Sequence, residues 1–195
     1  MTKPQKPRRP SLQESAALEA LADRTDPVER LHLAHETAAA LLRIGHAATD
    51  PAVTQRLVAL SEEIGLAAIA DLWAAQPARS LPGALWRLYV VREWVVADAE
   101  GVAREYTAGV PLAEAPHVVA GIDWPKPEEV RRTADEILRG AFTGDFAMAL
   151  DRAAAFCRVV SAGRADLGEP DAEKLVALAD DLTDEARLWR RGELE

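Results

Sequence analysis

Helix starts punctuate this chain, and their spacing leaves room for little besides helices. "DPVE" (Asp26 to Glu29) sets a capping carboxylate directly before a proline at the first helical position, where a missing N–H costs nothing. "TDPAV" from Thr49, "SLPG" from Ser80, "KPEE" from Lys126 and "EPDAE" from Glu169 repeat the proline mark. "SLQE" (Ser11 to Glu14) is a capping-box pattern, and in "TGDF" from Thr143 either Thr143 or Asp145 can cap. Helices are therefore predicted over 11–23, 27–47, 51–75, 82–106, 127–140, 145–163 and 170–191, with ends good to a few residues.

The apolar fraction agrees. It reaches 49% of the 195 residues and is carried by Ala, Leu and Val with almost no β-branched alternation, a mix suited to closely packed helices. A chain of this length supports one well-buried core and is short for two. The link "QPARS" (Gln76 to Ser80) is short enough to pair helices 51–75 and 82–106 antiparallel. The expected fold is all-α: a single-domain array of about seven helices over 11–195, built round that central pair. "RLVALSEEI" from Arg56 echoes "KLVALADDL" from Lys174, and shared amphipathic composition explains the echo better than duplication. The stretch from Thr107 to Lys126 fits no long helix. A loop that long in a compact domain is usually functional, and this one carries His117, Asp123 and Trp124, residue types suited to a lid or a partner surface.

Charge narrows the partners. Net charge is −9, of which the first ten residues contribute +4 (Lys3, Lys6, Arg8, Arg9), leaving −13 for the rest. Such an acidic body argues against nucleic acid on the folded part, leaving only the basic, proline-spaced arm 1–10, expected to be disordered, as a contact for it. The lone cysteine, Cys157, excludes an intrachain disulfide, and its apolar neighbours make it an inert buried thiol. No apolar run approaches a membrane span and no signal-peptide core follows the basic start, so a cytoplasmic setting is expected.

Candidate chemistry is sparse. On helix 27–47, Glu29, His32, His35 and Glu36 gather on one face with Arg43 and His46. The spacing Glu29-x-x-His32 is that of carboxylate-bridged di-iron bundles, but its one repeat, Glu114-x-x-His117, falls in the stretch that fits no long helix, so the second helical pair such a site needs is not found. A mononuclear metal site on that face remains geometrically possible, against the simpler reading of a solvated polar face. "HETAA" from His35 puts Ala39 where a zinc-protease helix needs its second histidine. "LSEEIGL" from Leu60 resembles the first half of a helix-turn-helix, but "AAIADLW" after it offers no basic residue to DNA, and Gly65 reads as a small residue inside one long helix, close to a neighbour. "DDLTD" (Asp180 to Asp184) has the spacing of a diphosphate-binding motif without the second motif such sites need, and reads as a charged outer face. Nor does "SEEI" from Ser61 find the paired acidic motif of an all-helical nucleotide pyrophosphohydrolase, since Glu93 and Asp98 are five apart. No catalytic triad, phosphate loop or cofactor fingerprint is present, and no cofactor is expected.

One charge stands out. In "ALWRLYVVREWVV" (Ala84 to Val96), Arg87 shares a polar line with Asp98, and Glu93 shares another with Glu100. Arg92 belongs to neither; its facial neighbours Leu85, Leu88, Tyr89, Val95, Val96 and Ala99 are apolar or aromatic. An unpaired guanidinium there costs several kcal/mol, so Arg92 must snorkel out, pair with a buried acid, or face a cavity or a partner. Arg158 sits in a similar setting. The leading functional expectation is a non-catalytic helical protein that homodimerises or docks on another protein, with five tryptophans against three phenylalanines in weak support. The alternative is an anionic-ligand-binding or sensor domain. For either, the candidate residues are Trp86, Tyr89, Arg92, Glu93, His117, Asp123 and Trp124. A metal-dependent hydrolase built on the histidine face is third.

Overall fold

Four of the five proline-marked starts become helix N-termini held by a local side-chain hydrogen bond. The computed structural model describes residues 26–113 and 126–194. The arm 1–10, the helix expected over 11–23, and His117, Asp123 and Trp124 lie outside them. Asp26 accepts from the Val28 amide at the start of α1 (Pro27–Ala47), and Asp50 from Ala52 at the start of α2 (Pro51–Val58). Two short helices follow, α3 (Leu60–Ile64) and α4 (Leu66–Trp73). Ser80 Oγ accepts from Gly83 to open α5 (Leu81–Ala97), and Asp98 accepts from Gly101 to open α6 (Ala99–Gly109). A 3₁₀ turn covers Val110–Leu112. Then come α7 (Pro127–Thr143), α8 (Phe146–Asp166), capped by Asp145, and α9 (Ala172–Arg191). The described residues form nine α-helices and no strand, so the fold is all-α. None of these helices is long and apolar enough to cross a membrane.

Three expectations need correction. The run 51–75 is not one helix. It bends at Ala59 and breaks at Gly65, whose φ of +84° is open to glycine and strained for other residues. A Cβ at Gly65 would meet nothing within 4 Å, so this glycine serves a turn and not a close neighbour. The run 82–106 is likewise cut at Asp98, because its carboxylate captures an amide three residues on and starts a new helix. Finally, the centre is α8 and not the pair 51–75 and 82–106. It buries thirteen residues, among them Phe146, Leu150, Phe156, Cys157 and Val160, and packs against α6, α7 and α9. A helix apolar nearly all round must lie inside. Its alanines and Gly163 let neighbours approach closely.

Helix α7 joins this inner group to α1, α2 and α5. Between them Trp73, Tyr89 and Phe142 form a chain of tilted rings, with centroids 6.2 and 6.5 Å apart. The buried Tyr89 hydroxyl donates to the Leu57 carbonyl at 2.5 Å and Trp73 Nε1 to Thr37 Oγ1 at 3.2 Å, so both aromatic polar ends are satisfied.

Candidate functional site

Arg92 leaves the buried face of α5 and meets acids from three helices. Its Nε donates to Asp135 Oδ1 on α7 at 2.9 Å, its Nη1 to the adjacent Glu93 Oε1 at 2.6 Å, and its Nη2 to Glu62 Oε1 on α3 at 2.5 Å. Ser61 Oγ donates to the same Glu93 oxygen at 2.6 Å. The guanidinium is 6% exposed, whereas Glu62 is 57% exposed, so the cation is inside and the acids reach it from the rim. Burial alone would push the Arg92 pKa down, but the hydrogen bonds to Asp135, Glu62 and Glu93 hold it above its ordinary value. Burial raises the Tyr89 hydroxyl, with the Arg92 charge partly opposing.

This knot answers what Arg92 faces and limits what it can do. One cation among three carboxylates leaves a formal charge of −2, and every arm of its fork is engaged. An incoming anion would have to displace an acid against that charge. The cluster ties α3, α5 and α7 together. It brings Arg92 and Glu93 to one point; Tyr89 lies one turn away in the core, and Trp86 packs, half-buried, against the core.

A second knot was not foreseen. Glu185 of α9 is fully buried, and neither of its carboxylate oxygens accepts a hydrogen bond. Arg87 Nη1 comes within 3.2 Å of Oε1, off the line a hydrogen bond needs, and spends its own donors on the Gly83 carbonyl and Asp181. Burial pushes the Glu185 carboxyl from an ordinary 4.5 up to about 8; Arg87 opposes, while Asp181 and Asp184 add to the rise. Between those values the folded protein holds a proton that the unfolded chain has released. The contribution of Glu185 to stability is therefore present below about 4.5 and lost as pH rises through about 8. Replacing it by glutamine should leave stability nearly unchanged at pH 5 and raise it by about 2 kcal/mol at pH 7, the amide giving up some solvation of its own. Urea unfolding of both proteins at the two pH values measures this; an unfolding difference independent of pH would refute it. The sequence did hold a signal, since Leu182, Leu188 and Trp189 surround Glu185 at helical spacing.

Several further charges are also paired. Arg158 donates to the Ala179 carbonyl, Asp180 and Thr183 of α9, the same resolution as for Arg92. Each acid of "DDLTD" has an arginine: Asp180 has Arg158, Asp181 has Arg87, and Asp184 has Arg79 and Arg187. Arg164 grips the buried Glu105 through Nε and Nη2 and lies 5.5 Å over the Trp94 ring. On α1, His32 Nε2 and Glu36 Oε1 are 3.1 Å apart but 75% and 64% exposed, while Glu29 is exposed and His35 half-buried. Among the described residues no group of three or more His, Cys, Asp or Glu is arranged to hold a metal ion. Burial pushes the Cys157 thiol up to about 12, with Arg158 opposing, so it is not a ready nucleophile.

An open concavity lies away from these knots. A groove of about 530 Å³ runs between the first two turns of α1 (Pro27, Arg30, Leu31, Leu33) and the end of α4 with the turn after it (Asp71, Leu72, Ala75, Gln76, Pro77). Leu31 and Leu33 are 44% and 50% exposed, and Val28 beside them is 69% exposed. Among the described residues Arg30 and Asp71, on opposite walls, have no ion-pair partner. The described residues thus form an all-α array whose main buried charges are paired internally, with Leu31 and Leu33 exposed at this groove. Compared with protein-family models, curated proteins and solved structures, the chain matches none.

Proposed function

We propose that this protein is a non-catalytic helical module that acts through protein–protein association, by docking an amphipathic helix in the groove between α1 and α4. The observation that carries this reading is the contrast between the two kinds of surface. The guanidinium of the Arg92 cluster is fully engaged by its own partners, whereas Leu31 and Leu33 stand open at the groove. The floor of Leu31, Leu33, Leu72 and Ala75 suits a leucine- and alanine-bearing helix face, laid in as helix-in-groove recognition requires. Arg30 and Asp71 add a charge requirement: an acid on one side of that helix and a base on the other.

Association with a second copy is the form open to direct measurement. Light scattering on the full chain should give a mass rising with concentration from 21.1 kDa toward twice that value. The variant Leu31→Asp/Leu33→Asp should remain at one chain, and since both leucines are exposed it should keep its helical circular dichroism. A single-chain mass at every concentration would overturn self-association, as would a dimer indifferent to the two aspartates.

A further inference from the structure

We propose that the end of α9 and the link before α5 form a binding site for a small phosphate monoester, its phosphate held by Arg79, Arg187 and Arg191. This site shares no residue with the α1–α4 groove and stands whether or not that groove takes a helix. The three arginines line a cavity of about 210 Å³ together with Asp184 and Leu188. Arg187 and Arg191 are four apart on α9 and so share one face. Arg79 reaches them from the residue before Ser80, which caps α5.

Three cations thus converge in a protein of net charge −9. Like charges repel, and two acids brace them. Asp184 Oδ2 accepts from Arg79 Nη2 at 3.3 Å and its Oδ1 from Arg187 Nη1 at 2.9 Å, while Glu193 Oε2 accepts from Arg191 Nε at 2.8 Å. Each guanidinium engages one nitrogen in this way. Among the described residues the other two nitrogens of each meet no acceptor. The helix end does not take them either: the Gly192 amide donates to the Trp189 carbonyl and the Glu193 amide to that of Leu188. In the "DDLTD" stretch, then, Asp184 acts as a brace for arginines and not as a metal ligand.

Charge sets the sign of the ligand. Three arginines against Asp184 and Glu193 leave a formal +1, where the Arg92 cluster carries −2. The Arg92 knot turns an anion away and this cavity draws one. Shape selects phosphate over carboxylate, because three terminal oxygens can accept from three guanidinium forks at once and a carboxylate offers only two. Leu188, half-buried in the same lining, gives the carbon group of an ester an apolar surface.

Titrating the ¹⁵N-labelled full chain with phenyl phosphate and with inorganic phosphate tests this, with potassium chloride at matched ionic strength as the reference. Both phosphates should shift the Nε–Hε signals of the three arginines saturably, and phenyl phosphate should bind the more tightly through Leu188. Arg79→Gln and Arg187→Gln should each weaken binding by about tenfold or more, the loss of a charge-assisted contact. Both side chains are exposed, so helical circular dichroism should be unchanged. Arg139→Gln removes the same charge from a different concavity and should leave the affinity within about twofold. Shifts that chloride reproduces would overturn the proposal, as would binding indifferent to Arg79 and Arg187. Equal weakening by Arg139→Gln would overturn it too, reducing the effect to general charge attraction. Binding of inorganic phosphate without phenyl phosphate would sink the monoester.

Discussion

Replacing Arg92 by methionine should cost about 3 kcal/mol of folding stability at neutral pH, although the new side chain is apolar and fits an apolar helix face. The loss comes from what stays behind. Glu62, Glu93 and Asp135 converge on one guanidinium, and without it three like charges face each other at the edge of the core. The figure sits at the low end for broken buried pairs because Glu62 is more than half exposed and can turn to water. Arg92→Lys keeps the charge but not the planar fork that reaches three partners, and should fall between. Adding Glu93→Gln and Asp135→Asn to Arg92→Met should recover part of the loss, since the unpaired charges cause it. Urea unfolding of the four proteins measures these terms. An Arg92→Met variant as stable as the wild type would show that the knot does not hold α3, α5 and α7 together.

The other large effect is expected where no charge is involved. Gly109 of α6 and Gly163 of α8 face each other's helices so closely that backbone meets backbone. A Cβ on Gly163 would lie 1.7 Å from the Glu105 carbonyl oxygen, and one on Gly109 would lie 1.8 Å from that of Val159. No side chain can swing aside to relieve such a contact, so the two helices must separate. That separation also loosens the Tyr106–Phe156 ring pair, whose centroids are 5.4 Å apart, and the grip of Arg164 on Glu105. Gly163→Ala should therefore cost about 3–5 kcal/mol, beyond the ordinary overpacking range. A thermal midpoint lower by about 10 °C would follow for a chain of this size. Gly168→Ala is the control. Its φ of +72° is strained for alanine, but nothing lies within 4 Å, so about 1 kcal/mol is expected. If the two variants melted together, the close crossing of α6 and α8 would be wrong.

The helix starts were legible because capping is local chemistry. Asp26, Asp50, Ser80 and Asp145 each bond an amide two or three residues away, and proline's fixed φ acts within its own residue. Pro170 misled by two residues, since the chain turns through Asp171 in the left-handed region before α9 begins. The breaks at Gly65 and Asp98 were less legible, because a glycine or an aspartate inside an apolar run is compatible with either a continuous helix or a turn. At Arg92 the sequence showed that a partner was required and could not name it. Glu62 is 30 residues away and Asp135 is 43, on helices whose facing depends on how the whole array packs.

By itself, then, the sequence determined the all-α class, most helix starts, the buried thiol and the demand that Arg92 be satisfied. These follow from propensity, capping and the cost of burying charge, all of which act within a few residues or on one side chain. Only the tertiary structure decided that α8 lies at the centre, that Gly109 and Gly163 form a backbone-close crossing, that three acids neutralise Arg92, and that Glu185 is buried with neither oxygen hydrogen-bonded. Each of those depends on which helix face meets which neighbour. Many packings satisfy the same local periodicity, and the choice among them is made by the shape and charge of distant residues brought together.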